Sequence, residues 1–336
     1  MSILRYNFNT LLSGINGRMK TMQSVVQLSV FFLLLAGLVI LPKSCLAGEN
    51  TPTANPTNKK VSWSDLIFTG SKFSAYFKVQ MQLESMADSS GNNSSPKGKE
   101  WGACPETVHD GMLLTIKASL QGLGSEDKYE ERVWFKEHDG LPYKRNRLNQ
   151  GNAFWMKSYC WEEKGVRRHK VVPGNSAEKK LPASVWSQHT ESLYRYPGNR
   201  TGCGTISDPA LIVYKVSSLT PVIGQDPFEL CVFGKKQLHR LTITQEGASP
   251  LQVAYTVRSA ALKETVVTEQ ILPVVYAVTS ENMGTANQAP EVFSLFGLQK
   301  DIRIYLDPEK GIPVKISGTV NSIGTLELEV QNVTVN

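Results

Sequence analysis

Histidine and acidic side chains are the groups in this 336-residue chain that could bind a metal or move a proton. The histidines are His109, His138, His169, His189 and His239. No two of them stand four residues apart, as the histidines of a helical zinc site do. The chain also lacks the glycine-rich phosphate loop and the serine-centred nucleophile elbow. The sequence therefore predicts no catalytic, metal-binding or cofactor-binding residue.

A catalytic pair of carboxylates has no sequence motif of this kind, because folding, and not their spacing in the sequence, brings the two acids of a hydrolase together. A hydrolase therefore stays a minor alternative to a non-catalytic protein. His109 and His138 each precede an aspartate and a glycine, and this arrangement is typical of surface turns.

Aromatic residues are dense between residues 134 and 161. Trp155, Tyr159 and Trp161 share one parity, so in a strand they would lie on the same face of a sheet. This pattern has two interpretations. In one, the three rings fill the core. In the other, they line a concave face that binds a ligand.

Cysteine usage favours an oxidising compartment. Cys45 belongs to the predicted leader described below, which leaves Cys104, Cys160, Cys203 and Cys231. An even number favours two disulfides, with three pairings open, and four buried thiols are the alternative. We expect Cys203–Cys231, because Cys203 precedes a predicted helix and Cys231 lies in the strand that follows it. Cys104 and Cys160 then pair by elimination.

Residues 1–47 have the order of a secretory signal peptide. Basic residues precede an apolar run over 25–41, and small residues follow it, with a cleavage site after Ala47. Translation from Met19 would give a leader of more usual length. The alternative is an uncleaved membrane anchor, since the run is at the short limit for a bilayer span. We expect an exported protein of the bacterial periplasm, tethered to the inner membrane only if the leader is retained.

The positive charge of the chain is partly a property of this leader. The formal net charge is +6, and the leader carries four basic residues and no acid, so the remaining chain has a net charge of +2. This balance gives no reason to expect a nucleic-acid partner. The basic runs at 144–147 and 167–170 are expected to be solvated faces of strands or loops.

Alternating hydrophobic residues predict a mainly-β fold. One apolar parity runs from Phe73 to Leu83, and three strands of an antiparallel meander are predicted over 302–330. Further strands are predicted at 111–122, 128–137, 152–163, 166–172, 189–196, 228–233, 237–246, 251–259 and 264–279. One short helix is predicted at 207–217, where Asp208 and Pro209 provide a cap and a first helical residue.

These elements predict one large curved antiparallel sheet, or an open half-barrel, with one short helix. No linker divides residues 101–336, so a single β domain over 61–336 fits better than two domains. The polar residues 48–60 are predicted to be a flexible linker, and residues 85–110 a long exposed loop.

Several short motifs follow one another in a definite order. They are Gly-Leu-Pro at 140–142, Asp-Pro-Ala-Leu-Ile-Val-Tyr at 208–214, the glycine-led strand at 224–233, the lysines at 235–236, Tyr-Leu-Asp-Pro at 305–308, Ile-Pro-Val-Lys-Ile at 312–316 and Gly-Thr-Leu at 324–326. Over residues 110–334 this order resembles the bacterial domain-of-unknown-function family 3108. The resemblance implies an exported, mainly antiparallel β domain of the cell envelope with no established activity and no catalytic residues.

Together these observations favour a non-catalytic binding or carrier module for an apolar or amphipathic envelope ligand. The partners we expect are a lipid, a lipoprotein or a polysaccharide of the envelope, without a cofactor. Contact with the membrane is expected only through an uncleaved leader. The alternative is a structural or assembly factor that binds envelope proteins through an exposed sheet edge.

Overall fold

A computed structural model of the chain describes residues 59–86, 104, 111–122, 125–151, 153–198, 203–220, 226–259, 261, 263–284, 289–321 and 323–336. The predicted leader, nearly all of the predicted linker and most of the predicted loop at 85–110 lie outside these residues. Within the described ranges, no helix is long and apolar enough to cross a membrane.

Strands make up most of the described chain, as the alternating pattern predicts. They are β1 (Trp63–Lys72), β2 (Ala75–Ser85), β3 (Met112–Gly122), β4 (Ser125–Phe135), β5 (Pro142–Gln150), β6 (Trp155–Glu162), β7 (Gly165–Val172), β8 (Gln188–Arg195), β9 (Ile206–Ser207), β10 (Phe228–Phe233), β11 (Leu238–Glu246), β12 (Leu251–Arg258), β13 (Glu264–Ile271), β14 (Val274–Asn282), β15 (Lys300–Asp307), β16 (Ile312–Val320) and β17 (Gly324–Val335). The α-helix α1 (Ile212–Ser218) follows a 3-10 turn at Pro209–Leu211. Two more 3-10 turns lie at Glu178–Lys180 and Ala183–Val185.

A single sheet contains all of these strands, and the predicted mainly-β class with one short helix is confirmed. From one edge to the other, the sheet runs β8-β7-β6-β5-β4-β3-β2-β1-β17-β16-β15-β14-β11-β10-β9. Neighbours are antiparallel except for β9 and β10. In the sequence, the hairpin β12–β13 lies between β11 and β14, which pair directly with each other in the sheet. Residues 256–258 of β12 pair in parallel with residues 332–334 of β17.

The sheet curves until its two ends face each other, which gives the predicted half-barrel shape. β6 and β10 stand far apart in the strand order, yet the rings of Tyr159 on β6 and Phe233 on β10 are 6.4 Å apart. Helix α1 lies against the inner face, where Ile212, Val213 and Val216 are fully buried. These residues belong to one apolar core with the inner side chains of β1–β3 and β14–β17.

The alternating pattern over 73–83 predicts the buried residues of β2 correctly, but it is wrong for Phe73, which precedes the strand. Phe77 and Met81 are buried, as their parity predicts. Phe73, which the pattern assigns to the same buried face, is 84% exposed, so this assignment is wrong. Lys72 and Ala75 pair directly across a tight turn, and Phe73 lies in that turn with a φ of 54°. The chain therefore reverses before Phe73 can join either strand.

Two further expectations need correction. The strand predicted over 264–279 is two strands, β13 and β14, separated by Leu272 and Pro273. Proline has no N–H for a ladder hydrogen bond, which explains the interruption. β1 does not appear among the predicted strands, and β5 is indicated only by the Gly-Leu-Pro motif at its start, which the resemblance implies to be a strand entry. The polar sequence of β5, Pro-Tyr-Lys-Arg-Asn-Arg-Leu-Asn-Gln, shows no apolar alternation that would predict the strand.

Both expected disulfides are present. Cys203 and Cys231 are bonded with their Cα atoms 5.6 Å apart, and Cys104 and Cys160 with theirs 5.4 Å apart. The first bond joins the segment before α1 to β10, and the second attaches residue 104 to β6. Two disulfides are typical of an oxidising, extracytoplasmic environment.

Candidate functional site

Charged side chains converge on the inner face of strands β4–β7, and this region is the candidate site. Side chains directly opposite one another on neighbouring strands share a face of the sheet. Glu131 on β4 lies opposite Arg147 on β5, and Arg147 lies opposite Lys157 on β6. Lys170 on β7 continues the row opposite Lys157. Arg145, two residues before Arg147, is buried, so the row lies on the inner face.

Arg145 joins the two ends of the curved sheet. Its side chain is 1% exposed, and one Nη donates a hydrogen bond to the carboxylate of Asp208 at 2.7 Å. The other Nη donates to the carbonyl oxygen of Gly234 at 2.8 Å. The guanidinium also stacks 4.0 Å from the ring centroid of Tyr159. Because Asp208 and Gly234 flank β9 and β10, these contacts bridge from β5 to the opposite end of the sheet.

Asp208 also begins the helical segment, as the sequence predicts. Its side chain accepts a hydrogen bond from the backbone N–H of Ala210 at 2.8 Å, and Pro209 is the first helical residue. Burial raises the pKa of Asp208 to about 6, and the charge of Arg145 opposes this rise. Since the carboxylate is fully buried and committed to these two contacts, its role is structural.

Arg147 is held by Tyr129 and Glu131. Its Nε donates to the hydroxyl of Tyr129, and that hydroxyl donates to Glu131 at 2.5 Å. Burial disfavours the charge of Arg147, but the interactions with Tyr129 and Glu131 outweigh burial and raise its pKa. Burial likewise raises the pKa of Tyr129. Near neutral pH the arginine is therefore charged and the phenol is neutral.

Lys157 occupies the middle of the row, and no carboxylate of the described residues forms an ion pair with it. Its Nζ lies 3.9 Å from the ring centroid of Trp155. Burial, followed by the charge of Arg147, lowers the pKa of Lys157 to about 7. Further cations that lower it are Arg168, Lys170 and Lys235. Lys157 is therefore a cation held among other cations.

A cavity of about 100 Å³ lies beside this row. Its charged lining includes Glu131, Arg147 and Lys235, and segment 291–297 forms another wall. The first residue of that segment, Glu291, accepts a hydrogen bond from the backbone N–H of Lys235 at 2.5 Å. This contact fixes the segment against the turn between β10 and β11.

Segment 291–297 presents apolar side chains to the cavity and ends in a tight turn. The apolar residues of this wall are Val292, Phe293, Leu295 and Phe296. Leu295 and Leu298 exchange two backbone hydrogen bonds of 2.9 Å, and the residues between them, Phe296 and Gly297, have φ values of 53° and 90°. The left-handed region is unusual for a phenylalanine, and such strain is often found where a protein holds a ligand.

The aromatic residues singled out by parity lie around the cavity and do not belong to its lining. Tyr159 is fully buried under Arg145, and the ring of Trp161 lies 6.5 Å from that of Phe233. Trp155 is 7% exposed, and its ring lies 6.3 Å from that of Tyr129. A ligand-lining role for these three residues stays a prediction.

Sequence reasoning missed the charged residues of the site. The expectation that the run at 144–147 is solvated is wrong for Arg145, whereas Arg167 in the second run is 52% exposed and fits it. Charge alone predicts exposure, since lone arginines are rarely buried. A usable signal was the shared parity of Arg145 and Arg147 within an alternating segment, because that parity places both on one face.

The described residues contain no group of three histidine, cysteine or acidic side chains placed to hold a metal ion. His169 on β7 and His189 on β8 form a stacked pair with ring nitrogens 3.2 Å apart. Burial, followed by the charge of His189, lowers the pKa of His169. Two imidazoles supply only half of a tetrahedral zinc site.

No protein-family profile matches the chain, and no curated protein matches it. A crystal structure of a beta-barrel-like protein of domain-of-unknown-function family 1849 from Brucella abortus is similar over 83% of this chain and 99% of that chain, with 8% identity and a TM-score of 0.38. This weak similarity assigns neither a family nor a function, and the resemblance to family 3108 stays a prediction.

Proposed function

We propose that this protein is an exported, non-catalytic binding module of the cell envelope that holds an apolar or amphipathic ligand in the cavity beside Arg147. The observation that carries the proposal is the two-sided lining of that cavity. Glu131, Arg147 and Lys235 supply charge, whereas Phe293 and Phe296 supply apolar surface. A ligand with an apolar part and a polar end satisfies both walls.

The size of the cavity indicates how such a ligand would bind. Small-molecule sites usually measure about 300–1,000 Å³, so this cavity accepts one end of a ligand. Val292 at its edge is 52% exposed, which gives the remainder of the ligand a path to solvent.

Binding of the neutral apolar dye N-phenyl-1-naphthylamine tests the site. Ala118 lines the cavity, and a tryptophan at this position would occupy it. We expect Ala118→Trp to weaken dye binding by about tenfold, equivalent to about 1.4 kcal/mol. Near-ultraviolet circular dichroism checks that the variant is folded.

The matched control is Ala254→Trp, since Ala254 is exposed on β12 and does not line the cavity. This variant should bind the dye as the wild type does. The proposal is contradicted if the wild type shows no saturable binding, or if both variants bind the dye equally well.

Export is the second part of the proposal. It is supported by the order of basic, apolar and small residues in 1–47 and by the two disulfides. Cell fractionation with N-terminal sequencing should find a periplasmic protein that begins at Gly48. A membrane-bound chain that retains the leader would indicate a tethered form, and a full-length chain in the cytoplasm would contradict export.

A second candidate is an assembly factor that binds envelope proteins through a sheet edge. β8 pairs with β7 alone among the described strands, and most of its residues are exposed. An exposed edge strand can pair with a strand of another protein. Photo-crosslinking in cells from a probe at Thr190 discriminates the two candidates. A defined protein adduct favours the assembly factor, and its absence favours the binding module.

A further inference from the structure

The inner face of β5–β7 carries more positive than negative charge. Four cations that lower the pKa of Lys157 lie around it, and together with Lys157 we call them the basic face: Arg147, Lys157, Arg168, Lys170 and Lys235. Two carboxylates lie beside them. Glu131 is 3.8 Å from Arg147, and Glu291 is bound to the backbone of Lys235. The described carboxylates therefore do not neutralise the basic face.

The excess of positive charge on the basic face is clearest at Lys157. The residues opposite it in the sheet, Arg147 and Lys170, are both cationic, so repulsion adds to the cost of its partial burial. Its packing against Trp155 supplies only a cation–π contact. An anion placed between these cationic side chains would offset the repulsion between them and take the place of the water molecules that they lose on burial.

Donors for such an anion are available at the cavity. The Nε of Arg147 is occupied by Tyr129, and no described residue occupies its two Nη groups, whose geometry suits the oxygens of a phosphate, sulfate or carboxylate. Lys235 lines the same cavity, and its Nζ adds a second charge. Lys157 lies directly across the ladder from Arg147, so its Nζ can approach the same oxygens.

We infer that the ligand ends in a compact anionic group, a phosphate, sulfate or carboxylate, that Arg147, Lys157 and Lys235 bind together. This inference rests on the proposed function for the apolar part of the ligand, which packs against segment 291–297. The basic face supplies the charge recognition, and the apolar wall supplies the contact with the chain.

Anion binding at this position is coupled to protonation of Lys157. The unliganded group has a pKa of about 7, lowered by burial and then by Arg147, Arg168, Lys170 and Lys235. A bound anion stabilises the charged form, so the complex takes up a proton wherever the free lysine is neutral. Affinity for an anion therefore falls as the pH rises above about 7.

Calorimetric titration with three octyl compounds tests the inference, because they share a chain and differ only in their head group. Octyl sulfate, octyl glucoside and octyltrimethylammonium are anionic, neutral and cationic, and inorganic sulfate provides the head group alone. At low ionic strength, we expect octyl sulfate to bind about tenfold more tightly than octyl glucoside. Burial, followed by the charge of Arg147, also lowers the pKa of Lys235. Because sulfate does not titrate, a loss of this preference above neutral pH reports on the lysines of the site, and the variant below assigns it to Lys157.

The variant Lys157→Met should lose the preference for octyl sulfate while its affinity for octyl glucoside is unchanged. Lys164→Met is the matched control, since Lys164 is exposed in the turn between β6 and β7. This control should keep the wild-type preference. Equal effects of the two substitutions would overturn the assignment of Lys157.

The remaining outcomes separate the two proposals. Equal affinity for the three octyl compounds, or tightest binding of the cation, overturns the anionic head group and leaves the binding module intact. If no compound binds, the proposed function fails and the inference fails with it. If inorganic sulfate binds as tightly as octyl sulfate, the anion site stands and the apolar part of the proposed function is contradicted.

Discussion

Replacement of Arg145 by methionine is expected to destabilise the protein by about 3–5 kcal/mol, the usual cost of removing one partner of a buried ion pair. Methionine fills much of the same volume but donates no hydrogen bond. The substitution leaves the fully buried Asp208 with the N–H of Ala210 as its hydrogen-bond donor, and it removes a donor from the carbonyl of Gly234. Since domains are stable by about 5–15 kcal/mol, this loss is a large fraction of the total.

Urea unfolding followed by circular dichroism, with the disulfides oxidised, measures this loss. The companion variant is Asp208→Asn, because asparagine still caps the helical segment. The double variant should lose about 2 kcal/mol less than the two single losses combined, because the pair is removed as a unit. Arg132→Met is the control, since Arg132 is 50% exposed and pairs with Glu130 at the surface. Its effect should stay within about 0.5 kcal/mol.

Two results would refute the reasoning. A loss below about 1 kcal/mol for Arg145→Met would show that the buried pair does not hold the ends of the sheet together. Strict additivity of the two single substitutions would show that Arg145 and Asp208 stabilise the fold independently.

Three further predictions concern stability. Lys157→Met should stabilise the protein by about 1–2 kcal/mol at pH 6 and by less at pH 9. The pKa of Lys157 falls to about 7 on folding, so the charged lysine destabilises the folded protein most below pH 7, and this penalty shrinks as the pH rises toward the pKa of the unfolded lysine. Thermal melts at both pH values check this, and a pH-independent gain contradicts it. Replacing Cys203 and Cys231 by alanine should lower the free energy of unfolding by about 3–4 kcal/mol, because the disulfide joins residues 28 positions apart. The urea midpoint measures this loss, and an unchanged midpoint contradicts it. Gly297→Ala should lower the free energy of unfolding by about 1 kcal/mol more than Gly247→Ala does, because both sites have space for a Cβ but only Gly297 has a positive φ. Equal urea midpoints for the two variants would contradict this.

The strands were predictable because their apolar residues alternate and their turns carry glycine, proline and asparagine. β10 begins and ends at the predicted residues, and β15–β17 form the predicted meander. The pairing of Cys203 with Cys231 was predictable for a similar reason, since a short helix that folds back brings its flanks together. These features depend on residues close in the sequence.

The candidate site was not predictable, because its residues meet through the curvature of the sheet. Arg145 on β5 and Asp208 before α1 are 63 residues apart in the chain, and neither has a local pattern that indicates the other. Alternation also identifies two faces of a strand without showing which one is inner. For β5, both faces carry cations, so the burial of Arg145 and the partial burial of Arg147 follow only from the three-dimensional structure.

The pairing of β1 with β17 has a consequence for the order in which the chain folds. Trp63 pairs with Val335, so the middle of the sheet consists of the first and last strands of the described chain. Until β17 pairs with β1 and β16, the strands β8–β1 and β16–β9 are two separate sheets without a common edge. Contacts between such distant residues form late and slowly. The sheet is therefore complete only once β17 is in place, and a deletion of Gly324–Val335 divides it in two.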